Sequence, residues 1–187
     1  MSARAPQLSL STHIQSTKAP WTSLVLLKAG QRPESLVHIP EGFVLKIMKG
    51  EKCRTPAGLF GEFAQALRFP DYFGQNWDAL EECLADLEWL PAKGYVLLFT
   101  AAEKILSEDE EDYATFLEVM SDAGEAWRSG LGSRPKPFHV VLAVAEGDKS
   151  KRAHWGIEPI ALQPAKEAET RRGTSTPSHR QKAKKDA

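Results

Sequence analysis

Residues 70–84 read Pro70-Asp71-Tyr72-Phe73-Gly74-Gln75-Asn76-Trp77-Asp78-Ala79-Leu80-Glu81-Glu82-Cys83-Leu84. Proline, glycine and asparagine first make a tight aromatic turn. Asn76 then suits a helix N-cap. Trp77, Leu80, Cys83, Leu84 and Leu87 follow at three-and-four spacing, the apolar stripe of a helix packed on a core. Asp78, Glu82 and Asp86 recur every fourth residue on the opposite face. Like charges at that spacing cost an isolated helix about 0.2–0.5 kcal/mol per pair. Such a row is either a solvated surface or a face kept for a cationic partner.

Working outward, the same alternation of helix and strand continues. Trp21 to Leu27 is a candidate strand, and residues 30–42, with Pro33 and Pro40, read as a connection. Phe43 to Met48 is an apolar run that fits a buried strand. Thr55-Pro56 offers an N-cap followed by proline at the first helical position. Leu59, Phe60, Phe63, Ala64 and Leu67 keep helical spacing until Pro70 forbids continuation. Tyr95 to Phe99 reads as a central strand buried on both faces. A short helical piece covers Ala101 to Leu106. Ser107-Glu108-Asp109-Glu110 has the form of a capping box. The helix after it buries Tyr113, Phe116, Leu117, Met120 and Trp127, turns Glu118, Asp122 and Glu125 outward, and closes at Gly130. Pro137 to Val144 is the last core strand. Apolar strands joined by helical crossovers predict an α/β fold with a small parallel sheet.

Charge divides the chain more sharply than its net of −1 suggests. Residues 43–146 hold 10 Lys and Arg against 18 Asp and Glu, a net of −8. Residues 147–187 hold 10 against 5, and residues 1–42 hold 4 against 2. The reading is an N-terminal extension over 1–42, an acidic domain over 43–146 and a basic tail over 147–187. Residues 1–20, polar and rich in Ser and Thr, and the chain from Pro164 onward read as disordered. In the tail, Trp155 to Ile157 and Ile160 to Leu162 are placed to pack back on the domain. Natural partners of the acidic block are cationic. The block repels phosphates, so nucleic acid finds only weak, salt-sensitive purchase on the tail cations such as Arg171, Arg172 and Lys182.

The function classes that need special residues find little support. No His-Glu-x-x-His helix, Cys-x-x-Cys pair, phosphate-cradling glycine loop or Gly-x-Ser-x-Gly elbow is present. Two cysteines, Cys53 and Cys83, and five scattered histidines suggest no metal or cofactor, and the thiols read as reduced and buried. Carboxylates four apart on one exposed helix do not flank a cleft as a glycosidase pair does. No apolar run reaches bilayer length and no leader is visible, so a cytoplasmic, non-enzymatic protein is expected. His139 reads as structural, as do Trp77, Trp89 and Trp127.

Three features together resemble the barstar family of ribonuclease inhibitors. They are the Pro-x-Tyr-aromatic-Gly-x-Asn turn of Pro70 to Asn76, the Trp-Asp-Ala-Leu helix start at Trp77 to Leu80, and the acidic-Cys-Leu continuation at Glu82 to Leu84. The resemblance covers Lys52 to Val144. It implies a three-stranded parallel sheet with about four helices, to which Trp21 to Leu27 is a candidate extra edge strand. It also implies a cytoplasmic immunity protein or antitoxin, monomeric when free, that plugs the active site of a basic ribonuclease. Acidic residues would stand where RNA phosphates sit. Carried over by position, the protein-binding residues are Tyr72, Gly74, Asn76, Asp78, Glu81, Glu82 and Asp122. Glu82 matches an aspartate that dominates binding in the family and is one methylene longer. Glu81 stands where the type protein has tryptophan. The other reading is a barstar-like interaction module with a non-nuclease partner.

Overall fold

Four apolar stretches form one sheet because each strand is followed by enough chain to cross over and return parallel. The strands are β1 (Thr22–Leu27), β2 (Phe43–Lys49), β3 (Gly94–Thr100) and β4 (Phe138–Ala145). All neighbours pair in parallel, in the order β1-β4-β3-β2. The helices are α1 (Leu10–His13), α2 (Pro56–Leu67), α3 (Trp77–Asp86) and α4 (Tyr113–Ser129). The computed structural model describes residues 10–130, 134–151, 155–157, 159 and 160.

The parallel sheet is wider than expected. It has four strands rather than three, because Trp21 to Leu27 does join it, beside β4 with Thr22 opposite Val140. Side chains alternate across the pleat, so each strand feeds two cores. Leu97, Phe99, Val140 and Leu142 point into the core shared with α2, α3 and α4. Val96, Leu98, Val141 and Ala143 point to the other face, where Leu10, Ile14 and Val37 cover them. Residues 10–20 therefore depart from the expected disorder. Leu10 and Ile14 are buried in that second core. His13 Nε2 lies 2.9 Å from the Pro20 carbonyl, and His139 Nε2 lies 2.7 Å from the Ser16 carbonyl. The sheet thus crosses the boundary expected at residue 43.

Position in the sheet corrects another expectation. β3 and β4 are the central strands and are buried almost throughout, as the continuous run Tyr95 to Phe99 implied. β2 is an edge strand, and Phe43 to Lys46 are only partly buried. An apolar run alone does not tell centre from edge. The free edge of β1 is covered by the chain's own continuation: Leu24 bridges Pro159, and the Ile160 amide donates to the Leu24 carbonyl at 2.8 Å. Trp155 is buried nearby. These contacts bear out the packing expected for that part of the tail. Leu162, the chain beyond Pro164 and residues 1–9 lie outside the described residues.

Helix ends follow their signals in three cases and not in a fourth. Thr55 Oγ1 accepts from the Gly58 amide at 3.2 Å, with Pro56 at the first helical position. Asn76 caps α3, and Gly130, at φ 82°, closes α4. The proposed cap at Ser107 does not form. A 3-10 turn over Glu110–Asp112 precedes α4, which starts at Tyr113 without a side-chain cap. The Leu106 and Glu108 amides donate instead to the carbonyls of Cys53 and Arg54, at 2.7 and 3.0 Å. Those long-range bonds hold the segment out of the helix. Leu117, expected in the core, is only partly buried.

Candidate functional site

The site is built on a turn that fastens itself to the core and leaves one ring outside. The Phe73 amide donates to the Pro70 carbonyl at 3.0 Å and closes the turn. Phe73 packs edge-on against Phe69 and Phe60, with ring centres 4.8 and 6.3 Å away. Tyr72, one residue earlier, points away from that anchor and is 74% exposed. Gln75 takes the left-handed conformation at φ 49°, which brings Asn76 to the start of α3. A Cβ on Gly74 would lie 3.2 Å from Asn76 Nδ2, so a larger residue would crowd the cap.

Asn76 Oδ1 accepts from the Ala79 amide at 2.8 Å. Its carbonyl-type oxygen is committed to the cap, and only its amide NH2 is left for a partner. From this fixed start α3 runs as a rigid rod. Leu80, Cys83 and Leu84 are buried, and Trp77 rests against Phe60 with ring centres 5.1 Å apart. Asp78, Glu81, Glu82 and Asp86 are exposed. Asp78 sits in the first turn, where the aligned peptide dipoles stabilise an anion by about 0.3–1 kcal/mol. Among the described residues, none of these four carboxylates has an ion-pair partner within 4.0 Å. The face is negative, rigid and free of internal engagement.

Asp122, on α4, is exposed too. On the helix it lies away from Gly124 and Leu117, whose flank meets Trp21 and Gly156. α3 and α4 are locked together where Trp127 Nε1 donates to the Leu84 carbonyl at 2.8 Å. Glu125, expected in the same outward group, is taken up by Arg128 beside it, and that hydrogen bond chiefly holds its carboxyl below the usual range.

The residues read as structural are so. Trp89 Nε1 donates to the Leu67 carbonyl at 2.9 Å, and Trp127 is 5% exposed. His139 is fully buried beside His13 and Trp21, and burial pushes its pKa down to about 4. Both cysteines are free and buried. Burial, reinforced by Glu62, pushes the Cys53 thiol up to about 12, and burial also raises that of Cys83. Neither is poised as a nucleophile. Among the described residues no three His, Cys, Asp or Glu side chains gather as metal ligands, and no helix is long and apolar enough to cross a membrane.

A parallel sheet, a stapled aromatic turn and an anionic helix face are the parts that the resemblance required. The family model for barstar, the barnase inhibitor, matches residues 44–143, more than half of the chain. The chain belongs to the barstar family. Members of that family are inhibitors rather than enzymes, and the partner the family implies is a ribonuclease. No curated protein matches the chain. β1 lies outside the matched span, so the strand that widens the sheet belongs to this chain's own N-terminal part. One feature had no sequence signal. A hollow at the C-terminal end of α3 draws residues from α3, α4, β3 and Lys136, which only the fold brings together.

Proposed function

We propose that the protein is a cytoplasmic immunity protein or antitoxin that inhibits a basic ribonuclease, or a ribonuclease-like toxin domain, by occluding its active site. Tyr72, Gly74, Asn76, Asp78, Glu81, Glu82 and Asp122 form the binding face. The observation that carries this reading is the pairing of a 74% exposed Tyr72 with the exposed, internally unpartnered carboxylates of α3. A ribonuclease active site is lined with cations because its substrate is a polyanion. Carboxylates fixed on a helix present negative charge to those cations without the freedom of a loop. Arginine–carboxylate pairing adds strength and geometry. Tyr72 supplies a stiff aromatic anchor at low entropy cost. Encounter is steered by charge, and the on-rate falls as salt rises.

The test is RNA cleavage by a panel of basic ribonucleases with and without the protein, using the wild type, Glu82→Ala and Asp78→Ala. Inhibition by the wild type, weakened in both variants, supports the reading. Undiminished inhibition by both variants removes the proposed face. Deleting residues 165–187 should leave inhibition intact, because the basic tail has no part in it. A second reading draws on Glu81, an exposed carboxylate where the type inhibitor has tryptophan. On that reading the same face binds a cationic partner that is not a nuclease, and the whole panel would be cleaving normally.

A further inference from the structure

At the C-terminal end of α3 lies a cavity of about 520 Å³. Leu87, Pro91, Tyr95 and Trp127 supply its apolar surface, and the Tyr95 and Trp127 rings are 4.9 Å apart. Its charged groups are Glu82, Asp86, Glu88 and Lys136, three carboxylates against one ammonium. None of the three carboxylates has an ion-pair partner within 4.0 Å among the described residues. The helix end adds the negative pole of its dipole, since the last carbonyls of α3 point that way.

The hollow already holds a cation of its own. Lys136 Nζ lies 5.2 Å from the centre of the Trp127 ring. The Lys136 amide donates to the Trp127 carbonyl at 3.1 Å, so the backbone fixes that lysine beside the ring. The internal ammonium meets the aromatic face but offsets only one of three negative charges.

We propose that this hollow receives an arginine side chain from a partner protein and that Lys136 is its placeholder in the free protein. The inference rests on the reading of α3 as a docking face, which the hollow extends because Glu82 borders both. Charge complementarity selects a cation and rejects phosphate. The Trp127 face that Lys136 now covers favours guanidinium over ammonium, because guanidinium stacks, is weakly hydrated and bonds carboxylates in pairs. Entry of the guanidinium displaces the Lys136 ammonium from Trp127 toward solvent, where its hydration recovers the lost contact.

The experiment titrates Nα-acetyl-arginine amide into the 15N-labelled full chain and follows the amides of Asp86, Leu87 and Glu88 and the Trp127 indole. Nα-acetyl-citrulline amide, of the same shape without charge, and Nα-acetyl-lysine amide are the controls. The expected result is a saturable millimolar shift with the arginine probe, weaker with lysine and absent with citrulline. Lys136→Met should strengthen arginine binding several-fold, and Glu88→Gln, at an exposed position, should weaken it; thermal melts of both variants verify folding. Equal shifts with citrulline, equal binding of lysine, or no gain in Lys136→Met would overturn the proposal. No ribonuclease takes part, so the two readings fail separately. A saturating arginine probe alongside an uninhibited ribonuclease panel would retire the ribonuclease and keep the hollow.

Discussion

The neighbouring helices α2 and α3 treat their carboxylates in opposite ways. On α2, Glu62 is turned inward and is 7% exposed. Its Oε1 accepts from the Lys49 amide at 2.9 Å, and its Oε2 pairs with Lys52 Nζ at 3.2 Å. That carboxylate ties the end of β2 to the helix packed over it. On α3, Asp78, Glu82 and Asp86 face water with no ion-pair partner among the described residues. Glu62 serves the fold, buried and answered from within. A carboxylate left unanswered on a rigid, well-capped helix is available to another molecule. Mutations that separate stability from binding can break or sharpen this contrast.

Acid should have the largest effect on the fold, and it acts there through a third region. His139 is held neutral by burial, with a folded pKa of about 4 against an ordinary 6.5. The neutral form is the one the fold favours, so its contribution is complete above pH 6.5. It is lost as the pH falls toward 4, where the unfolded chain binds a proton that the folded chain refuses. The window of 6.5 minus 4 corresponds to about 3 kcal/mol. Urea unfolding between pH 7 and pH 4 should show this slope, and His139→Gln should flatten it. A slope unchanged by the substitution would break the assignment to His139.

Next in size, Glu82→Ala should cost about 2 kcal/mol or more of binding, roughly thirtyfold in Kd. Its melting temperature should stay close to that of the wild type, since exposed substitutions usually stay within about 0.5 kcal/mol. Glu62→Ala should do the reverse. Removing the acceptor of the Lys49 amide should cost about 1–3 kcal/mol of stability while Kd holds. Calorimetry on both variants would show whether the two helices divide the work as described. The smallest and most discriminating pair is Thr55→Ala and Asn76→Ala. Each loses an N-cap worth about 1 kcal/mol of stability. Only Asn76→Ala should also weaken binding, because its cap fixes the helix that carries the face.

Much of this division was legible in the sequence. Thr55-Pro56 and Asn76 declared the starts of α2 and α3 through local chemistry that needs no distant partner. The apolar stripe of α3 and its acidic opposite face were readable from spacing. Whatever depended on long-range contacts was not. Ser107 has the form of a cap, but its segment is held by residues 53 and 54. Residues 10–20 carry few apolar side chains, and their order comes from Leu10, Ile14 and the reach of His139 to Ser16. Glu62 gives no hint in sequence that Lys49 and Lys52 answer it. The hollow beside Trp127 likewise needs Lys136, which lies far along the chain from Glu82.

The most direct test of the central claim is a footprint of the bound state. Amide hydrogen exchange of the full chain should be compared free and in complex with whichever basic ribonuclease it inhibits most strongly. New protection should concentrate in the turn at 70–76 and on α3, with a smaller patch near Asp122 and none over residues 10–20. Protection falling instead on residues 10–20 over the second sheet face, or only on the basic tail, would contradict that claim.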